Sequence, residues 1–204
     1  LKIAINGFGR IGRTFFRAAD SLGLEVVAVN DLLSVEQCIY LLKYDSVYGP
    51  FKGEVRKNQK GLLVNGKLIP KLEEKEPANL PWKDLDVDLV IESTGFFVDP
   101  NQAQDHLKAG AKLVVITAPI KGKGKAKTII LGVNEEDYNS KEDRVISMAS
   151  CTTNCLPPIV KVSEENFGLK SSLMTTIHSY TATQILQDGP NKDLRRGRAG
   201  AINL

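Results

Sequence analysis

The sequence predicts an α/β fold, a doubly wound and mostly parallel sheet followed by the start of an α+β domain. Short runs rich in Val and Ile alternate with helical stretches over residues 1–149. A glycine turn joins the first run to the first helix, and the alternation stops after Ser150. The chain therefore divides at 149/150, with residues 150–204 forming the second domain.

Lys2 to Asn6 and Glu25 to Asp31 are apolar and β-branched, as suits buried parallel strands. Between them, Arg10 to Ser21 places Ile11, Phe15, Phe16, Ala18 and Ala19 at near-helical spacing, which completes a βαβ unit. Val35 to Leu42 reads as an apolar helix that buries Cys38. Residues 47–75 break the rhythm with Gly49, Pro50, Gly53, Gly61, Gly66 and Pro70, and predict a small antiparallel excursion on the sheet edge. Val87 to Glu92 and Leu113 to Thr117 are further strands, flanking a helix from Asn101 to Ala109 that Gly110 ends. Strands follow at Thr128 to Leu131 and Val145 to Ser147, then a helix from Cys151 to Asn166 and a strand from Ser171 to Tyr180. Residues 181–204 show no period. One helix and one strand cannot cover each other, so the second domain is expected to be cut short.

Composition narrows the function. Of 204 residues, 42% are hydrophobic and 25% charged, as in water-soluble globular chains. Twenty-seven basic against 24 acidic residues leave a net charge of +3, too even a balance to indicate nucleic acid or membrane as the primary partner. No run reaches the ~20 apolar residues of a membrane helix, and the opening shows no secretory signal pattern. Three cysteines and two histidines form no disulfide framework and no metal site. A cytoplasmic location with free thiols is the expectation.

Gly7-Phe8-Gly9-Arg10-Ile11-Gly12 matches G-x-G-x-x-G. It follows a strand, opens a helix, and is followed 24 positions after Gly7 by an acidic strand end, Asp31. That context makes it a dinucleotide fingerprint rather than a bare glycine turn. Gly7 permits the turn, Gly9 the approach of a pyrophosphate, and Gly12 the packing of helix on strand. Arg10 and Ile11 offer backbone N–H groups at the positive helix end. Asp31 accepts from the ribose hydroxyls and repels a 2′-phosphate, so the expected cofactor is NAD.

Ser150-Cys151-Thr152-Thr153-Asn154-Cys155 lies where a strand gives way to a helix. Ser150 suits the N-cap, which puts Cys151 where backbone dipoles favour a thiolate. Helix starts and nearby imidazolium bring cysteine pKa values to roughly 3.5–7.5. His178 lies near the C-terminal end of the next predicted strand, and by itself is only a candidate partner.

Five segments together resemble the phosphorylating glyceraldehyde-3-phosphate dehydrogenase family: Asn6 to Arg13, Val29 to Asp31, Glu92 to Phe97, Ser150 to Cys155 and His178 to Thr181. The resemblance runs the length of the chain. It implies a Rossmann-type NAD domain, a nucleophile at Cys151 and a base at His178. Cofactor contacts are implied at Gly7, Gly9, Arg10, Ile11, Gly12, Asp31, Thr94, Gly95 and Thr117. Lys75 stands where many relatives carry an Arg beside the adenine. Phosphate contacts are implied at Ser150, Thr152, Thr181 and Arg196. The implied reaction is oxidation of glyceraldehyde 3-phosphate with inorganic phosphate to 1,3-bisphosphoglycerate, through a thioester, in a homotetramer. The implied family chain continues beyond Leu204. The competing readings are a four-carbon relative acting on erythrose 4-phosphate, which this sequence resembles less around His178, and a non-catalytic NAD-binding fragment.

Overall fold

The computed structural model describes residues 1–202, which form two compact units, 1–165 and 166 onward. In the first, β1 (Lys2–Asn6), α1 (Arg10–Ser21), β2 (Glu25–Asn30) and α2 (Val35–Lys43) lead to a meander of β3 (Val55–Asn58), β4 (Gly61–Val64) and β5 (Lys67–Leu72). Next come β6 (Leu89–Glu92), the short helices α3 (Pro100–Ala103) and α4 (Asp105–Lys108), β7 (Leu113–Ile116), β8 (Lys127–Thr128), β9 (Val145–Ser147) and α5 (Cys151–Phe167). The nine strands form one sheet in the order β3-β4-β5-β2-β1-β6-β7-β9-β8. From β5 to β8 all pairings are parallel, while β3-β4-β5 is antiparallel, as residues 47–75 predict. The strand order reverses at β1, which pairs with β2 on one side and β6 on the other. A crevice at the carboxyl ends of strands forms at such a switch point.

Alternation along each strand fills two layers. Ile3 and Ile5 pack with Phe8, Phe16, Cys38, Leu42 and Leu62, whereas Ala4, Ala28 and Val90 pack with Trp82, Leu80 and Val87. Phe8, in the middle of the glycine turn, is fully buried and meets Phe16 edge-on at 5.7 Å. Ser34 caps α2, accepting from Gln37 N while the Gln37 side chain accepts from Ser34 N.

Three expectations need correction. The helix expected from Asn101 to Ala109 is interrupted at Gln104, where Leu107 N bonds to the carbonyl only three residues back. The strand expected at Thr128 to Leu131 ends at Thr128, because the Asn134 side chain captures Ile130 N and the Thr128 carbonyl and turns the chain. Residues 171–180 form no strand: no described segment pairs with them, and an extended run without a ladder leaves its backbone groups to water. Leu173 and Ile177 are accordingly fully exposed. Residues 181–202 form an internally bonded loop with one 3₁₀ turn, Leu194–Gly197, tied by Gly189 N to the Gly197 carbonyl and by Arg198 to Asp188 at 2.8 Å.

Burial, reinforced by the nearby Asp31 charge, pushes the Cys38 thiol from 9.0 up to about 11. Between these values the unfolded chain loses this proton and the folded chain keeps it, so stability falls as pH rises across that window. The slope for this group is at most about 1.4 kcal/mol per pH unit. Urea unfolding from pH 8 to 11 should show a shallower decline in Cys38→Ala than in the parent; parallel declines would assign the alkaline loss to other groups.

Candidate functional site

A cavity of about 460 Å³ opens at the switch point, lined by Asn6, Gly7, Gly9, Asn30, Asp31, Leu32, Glu74, Lys75, Ser93, Thr94, Phe96 and Phe97. The glycines set its floor. Gly7 has φ +90°, and a Cβ there would press on the Thr94 backbone at 2.6 Å. A Cβ on Gly12 would meet the Gly7 carbonyl oxygen at 2.0 Å, whereas one on Gly9 would meet nothing within 4 Å. The first two glycines are thus required by the protein's own packing. Gly9 instead leaves open space beside the start of α1, room for a ligand to approach the backbone.

Arg13 N bonds the Gly9 carbonyl, so the N–H groups ahead of it in the first turn have no partner within the helix. The Arg10 guanidinium bonds Asp45 and lies 5.3 Å from the Tyr48 ring centre, which leaves Arg10 its backbone N–H as the group suited to a ligand. Backbone N–H donation from Tyr48 and Val47, with Arg10 beside it, holds the Asp45 carboxyl down at about 2.

Asp31 does more than end β2. One carboxylate oxygen accepts from Phe8 N at 2.6 Å and the other from Leu33 N at 2.8 Å, which ties the strand end to the glycine turn. A carboxylate has about four acceptor positions, so two remain for a ribose diol. Ser93 Oγ bonds the Gly7 carbonyl at 2.6 Å. Thr94 N donates to Glu92 at 2.8 Å, Gly95 follows at φ +76°, and Thr117 Oγ1 bonds the Glu92 carbonyl at 3.1 Å. Open space at Gly9, the unpaired helix donors and the acceptor capacity of Asp31 fit the pyrophosphate and ribose of a dinucleotide. Motif reading missed Asn6, Asn30, Glu92 and Ser93 as site residues. The signal was there, since polar residues close three apolar parallel strands, but only the sheet register shows them side by side.

Cys151 is the first residue of α5 and is exposed. Ser150 Oγ accepts from Thr153 N at 3.1 Å and caps the helix. Ala149 precedes it at φ +55°, a left-handed conformation that costs a non-glycine residue about 1–2 kcal/mol. Asn154 Nδ2 steadies this turn by donating to the carbonyls of Met148 at 2.6 Å and Ser150 at 2.9 Å. Thr152 lies beside the cap and Cys155 one turn further on. Cys151 thus lies four residues beyond Ser147, past the carboxyl end of β9, and the parallel pairing puts that end on the same side of the sheet as the strand ends that form the cavity.

The second unit holds His178, Thr181 and Arg196. His178 Nδ1 lies 2.6 Å from the Ser179 carbonyl, which only accepts, so Nδ1 carries the proton and Nε2 the lone pair of the neutral ring. Arg196 donates to Thr183 Oγ1 at 2.8 Å, and that oxygen lies 3.0 Å from Thr181 Oγ1. Thr183, which the motifs did not indicate, thereby joins two expected phosphate-binding residues. Cys151 and His178 belong to different units, and each is placed only within its own. Among the described residues no helix is long and apolar enough to cross a membrane, and no His, Cys, Asp and Glu group is arranged to hold a metal.

Residues 1–100 match the family model described as glyceraldehyde 3-phosphate dehydrogenase, NAD binding domain, and residues 150–204 the model of its C-terminal domain. The chain is 52% identical over 205 residues to glyceraldehyde-3-phosphate dehydrogenase of Geobacillus stearothermophilus, covering 100% of this chain and 61% of that one. It is 50% identical over 204 residues to glyceraldehyde-3-phosphate dehydrogenase 1 of Bacillus cereus, covering 100% and 60%. Glyceraldehyde-3-phosphate dehydrogenase A, chloroplastic, of Zea mays is 51% identical over 209 residues, covering 100% and 51%. The chain thus spans between half and two thirds of the length of these relatives.

The glycines make separable predictions. Gly12→Ala should lower the thermal midpoint of the first unit by several degrees, since helix and strand must part to admit the methyl group. Gly9→Ala should leave the midpoint within a degree or two yet weaken NAD binding about tenfold or more, measured by calorimetry. An equal loss of stability in both would show that Gly9 serves packing alone.

Proposed function

The chain belongs to the glyceraldehyde-3-phosphate dehydrogenase family, and on that premise we propose that the protein oxidises glyceraldehyde 3-phosphate, with NAD and inorganic phosphate, to 1,3-bisphosphoglycerate. One observation carries the reading: the exposed Cys151 thiol starts a capped helix on the same side of the sheet as the strand ends that form the dinucleotide cavity. In this reading the nucleophile acts at the nicotinamide end of the cofactor.

NAD, when bound there, supplies the hydride acceptor. Gly9, Arg10 and Ile11 would hold its pyrophosphate through backbone N–H groups and Asp31 its ribose, with Lys75, Thr94, Gly95 and Thr117 bordering the site. His178 Nε2 draws the thiol proton, the Cys151 thiolate attacks the aldehyde carbon, and the carbonyl electron pair moves to oxygen, which takes that proton back from the imidazolium. As His178 Nε2 removes that hydroxyl proton, the hydride leaves the same carbon and a thioester remains on Cys151. The Cys151 backbone N–H, at the helix start, stabilises the oxyanion. An oxygen of inorganic phosphate then attacks the thioester, the carbon–sulfur bond breaks, and the electron pair returns to Cys151 as thiolate. Ser150, Thr152 and Arg196 suit the attacking phosphate, and Thr181 the phosphate of the substrate. The hydroxyl chain from Arg196 through Thr183 to Thr181 supports an anion-binding role for this segment.

The same reading extends to a homotetramer in which residues 192–198 run beside a neighbouring cofactor site, to a domain boundary at 149/150, and to a cytoplasmic setting. Neither nucleic acid nor membrane is a primary partner in it.

Phosphate-dependent NAD reduction should fall by about 10³-fold or more in Cys151→Ser while NAD binding persists. Limiting iodoacetamide at neutral pH should label Cys151 before Cys155 and Cys38, and His178→Asn should raise the pH at which labelling accelerates. Equal labelling of Cys151 and Cys155 would remove the basis for an activated thiol.

Asp31 should also select the cofactor. A 2′-phosphate would meet its carboxylate with no compensating base at Leu32 or Leu33. Asp31→Asn removes the charge, at the loss of one of the two backbone bonds from Phe8 N and Leu33 N, and should narrow the NAD to NADP affinity ratio at least tenfold. A parent protein that binds both cofactors equally would contradict this assignment.

A further inference from the structure

A chain of five buried polar side chains, Asn30, Asn6, Glu92, His106 and Trp82, each 4% exposed or less, runs from the cavity lining at Asn6 and Asn30 into the core behind it. Register places Asn30, Asn6 and Glu92 opposite one another at the ends of β2, β1 and β6. Asn30 Nδ2 donates to Asn6 Oδ1 at 2.7 Å, and Asn6 Nδ2 to Glu92 Oε2 at 2.6 Å. His106 Nε2 lies 3.0 Å from the same Glu92 oxygen, and Trp82 Nε1 donates to His106 Nδ1 at 2.9 Å. At the other end, Glu74 N donates to Asn30 Oδ1 at 2.8 Å.

The directions of the bonds follow from the groups that can play only one part, the indole N–H and the Glu74 N–H, which only donate, and the Glu92 carboxylate, which only accepts. An indole N–H can only donate, so His106 Nδ1 must accept, and the ring's proton sits on Nε2. Nε2–H then donates to Glu92. Both asparagine amides run the same way, each presenting its NH₂ toward Glu92 and its oxygen away from it. The carboxylate collects donors from Asn6, His106, Thr94 N and Thr94 Oγ1, which fill its roughly four acceptor positions. Thr94 lines the cavity. So does Phe97, whose ring meets His106 edge-on at 6.5 Å.

We propose that His106 is a positioning residue for the nucleotide site: held by Trp82 in its Nε2–H tautomer, it fixes the Glu92 carboxylate and, through it, the Thr94 wall of the cavity. Removing His106 takes one of the two donors from Glu92 Oε2 and leaves it Asn6 Nδ2 alone inside a dry core, where a lost partner is costly, so the carboxylate turns and loosens its hold on Thr94. His106 touches no ligand in this arrangement. The inference rests on reading the cavity as the NAD site, so two of its three tests need no nucleotide.

In ¹⁵N NMR of the intact protein, the His106 ring should show a protonated Nε2 and an unprotonated Nδ1; a proton on Nδ1 would overturn the proposal. Amide hydrogen exchange at Thr94 should quicken at least tenfold in His106→Leu while Ile5, in the middle of β1, is unchanged. His106→Gln, whose amide can accept from Trp82 and donate to Glu92, should restore slow exchange. NAD dissociation constants should follow the same order, about tenfold weaker in His106→Leu and within about threefold of the parent in His106→Gln. If His106→Leu fails to fold, Trp82→Phe tests the same link, since it removes only the indole donor: a mixed tautomer with faster Thr94 exchange supports the proposal, and a mixed tautomer with unchanged exchange sinks it. Unaltered Thr94 exchange and affinity in a folded His106→Leu would make His106 a packing residue only. A parent that binds no NAD yet shows the predicted exchange pattern would refute the cofactor reading and leave the positioning role standing.

Discussion

The contact between Gly12 and the Gly7 carbonyl is the constraint on which the first unit turns. No side chain fits there, since even a methyl group would sit 2.0 Å from the oxygen. The absence of one lets the start of α1 settle directly against the end of β1. That closeness keeps Phe8 in the core against Phe16 and lets Ser93 reach the Gly7 carbonyl. It also brings Phe8 N within 2.6 Å of Asp31. One van der Waals contact thus aligns the helix donors, the strand-end acid and the β6 loop around a single crevice.

A crevice at strand ends brings its own difficulty, because polar residues there must be buried under the loops that form the walls. Asn6, Asn30 and Glu92 meet it by bonding mainly to one another and to the loop backbone. A fully partnered network of this kind is rigid, since any rotation leaves a donor or acceptor without its mate. The preorganisation that a nucleotide site needs is therefore supplied by side chains that line the cavity or lie beneath it and bond to one another.

Local pattern made β1, α1 and β2 legible, along with the glycine turn, because each depends on neighbours within a few residues. The antiparallel excursion showed in its glycines and prolines. The polar row did not show, since a polar residue closing an apolar run looks the same whether it faces water or another strand. Only the register that sets Asn6 beside both Asn30 and Glu92 separates the two cases. Residues 171–180 err in the opposite direction. Their β-branched composition favours an extended chain, but a strand also needs a partner, and propensity says nothing about where one lies. Thr183 escaped notice because a hydroxyl two residues from Thr181 has no meaning until the loop folds Arg196 onto it.

Trp82 has a last consequence of an optical kind. It is the chain's one tryptophan, it lies in the first unit, and its indole is fully enclosed and bonded to His106. Emission excited at the indole band therefore reports the packing around Trp82 in that unit. An unfolding curve followed by tryptophan fluorescence and one followed by circular dichroism view different parts of this chain, and the gap between them measures how independently the two units melt.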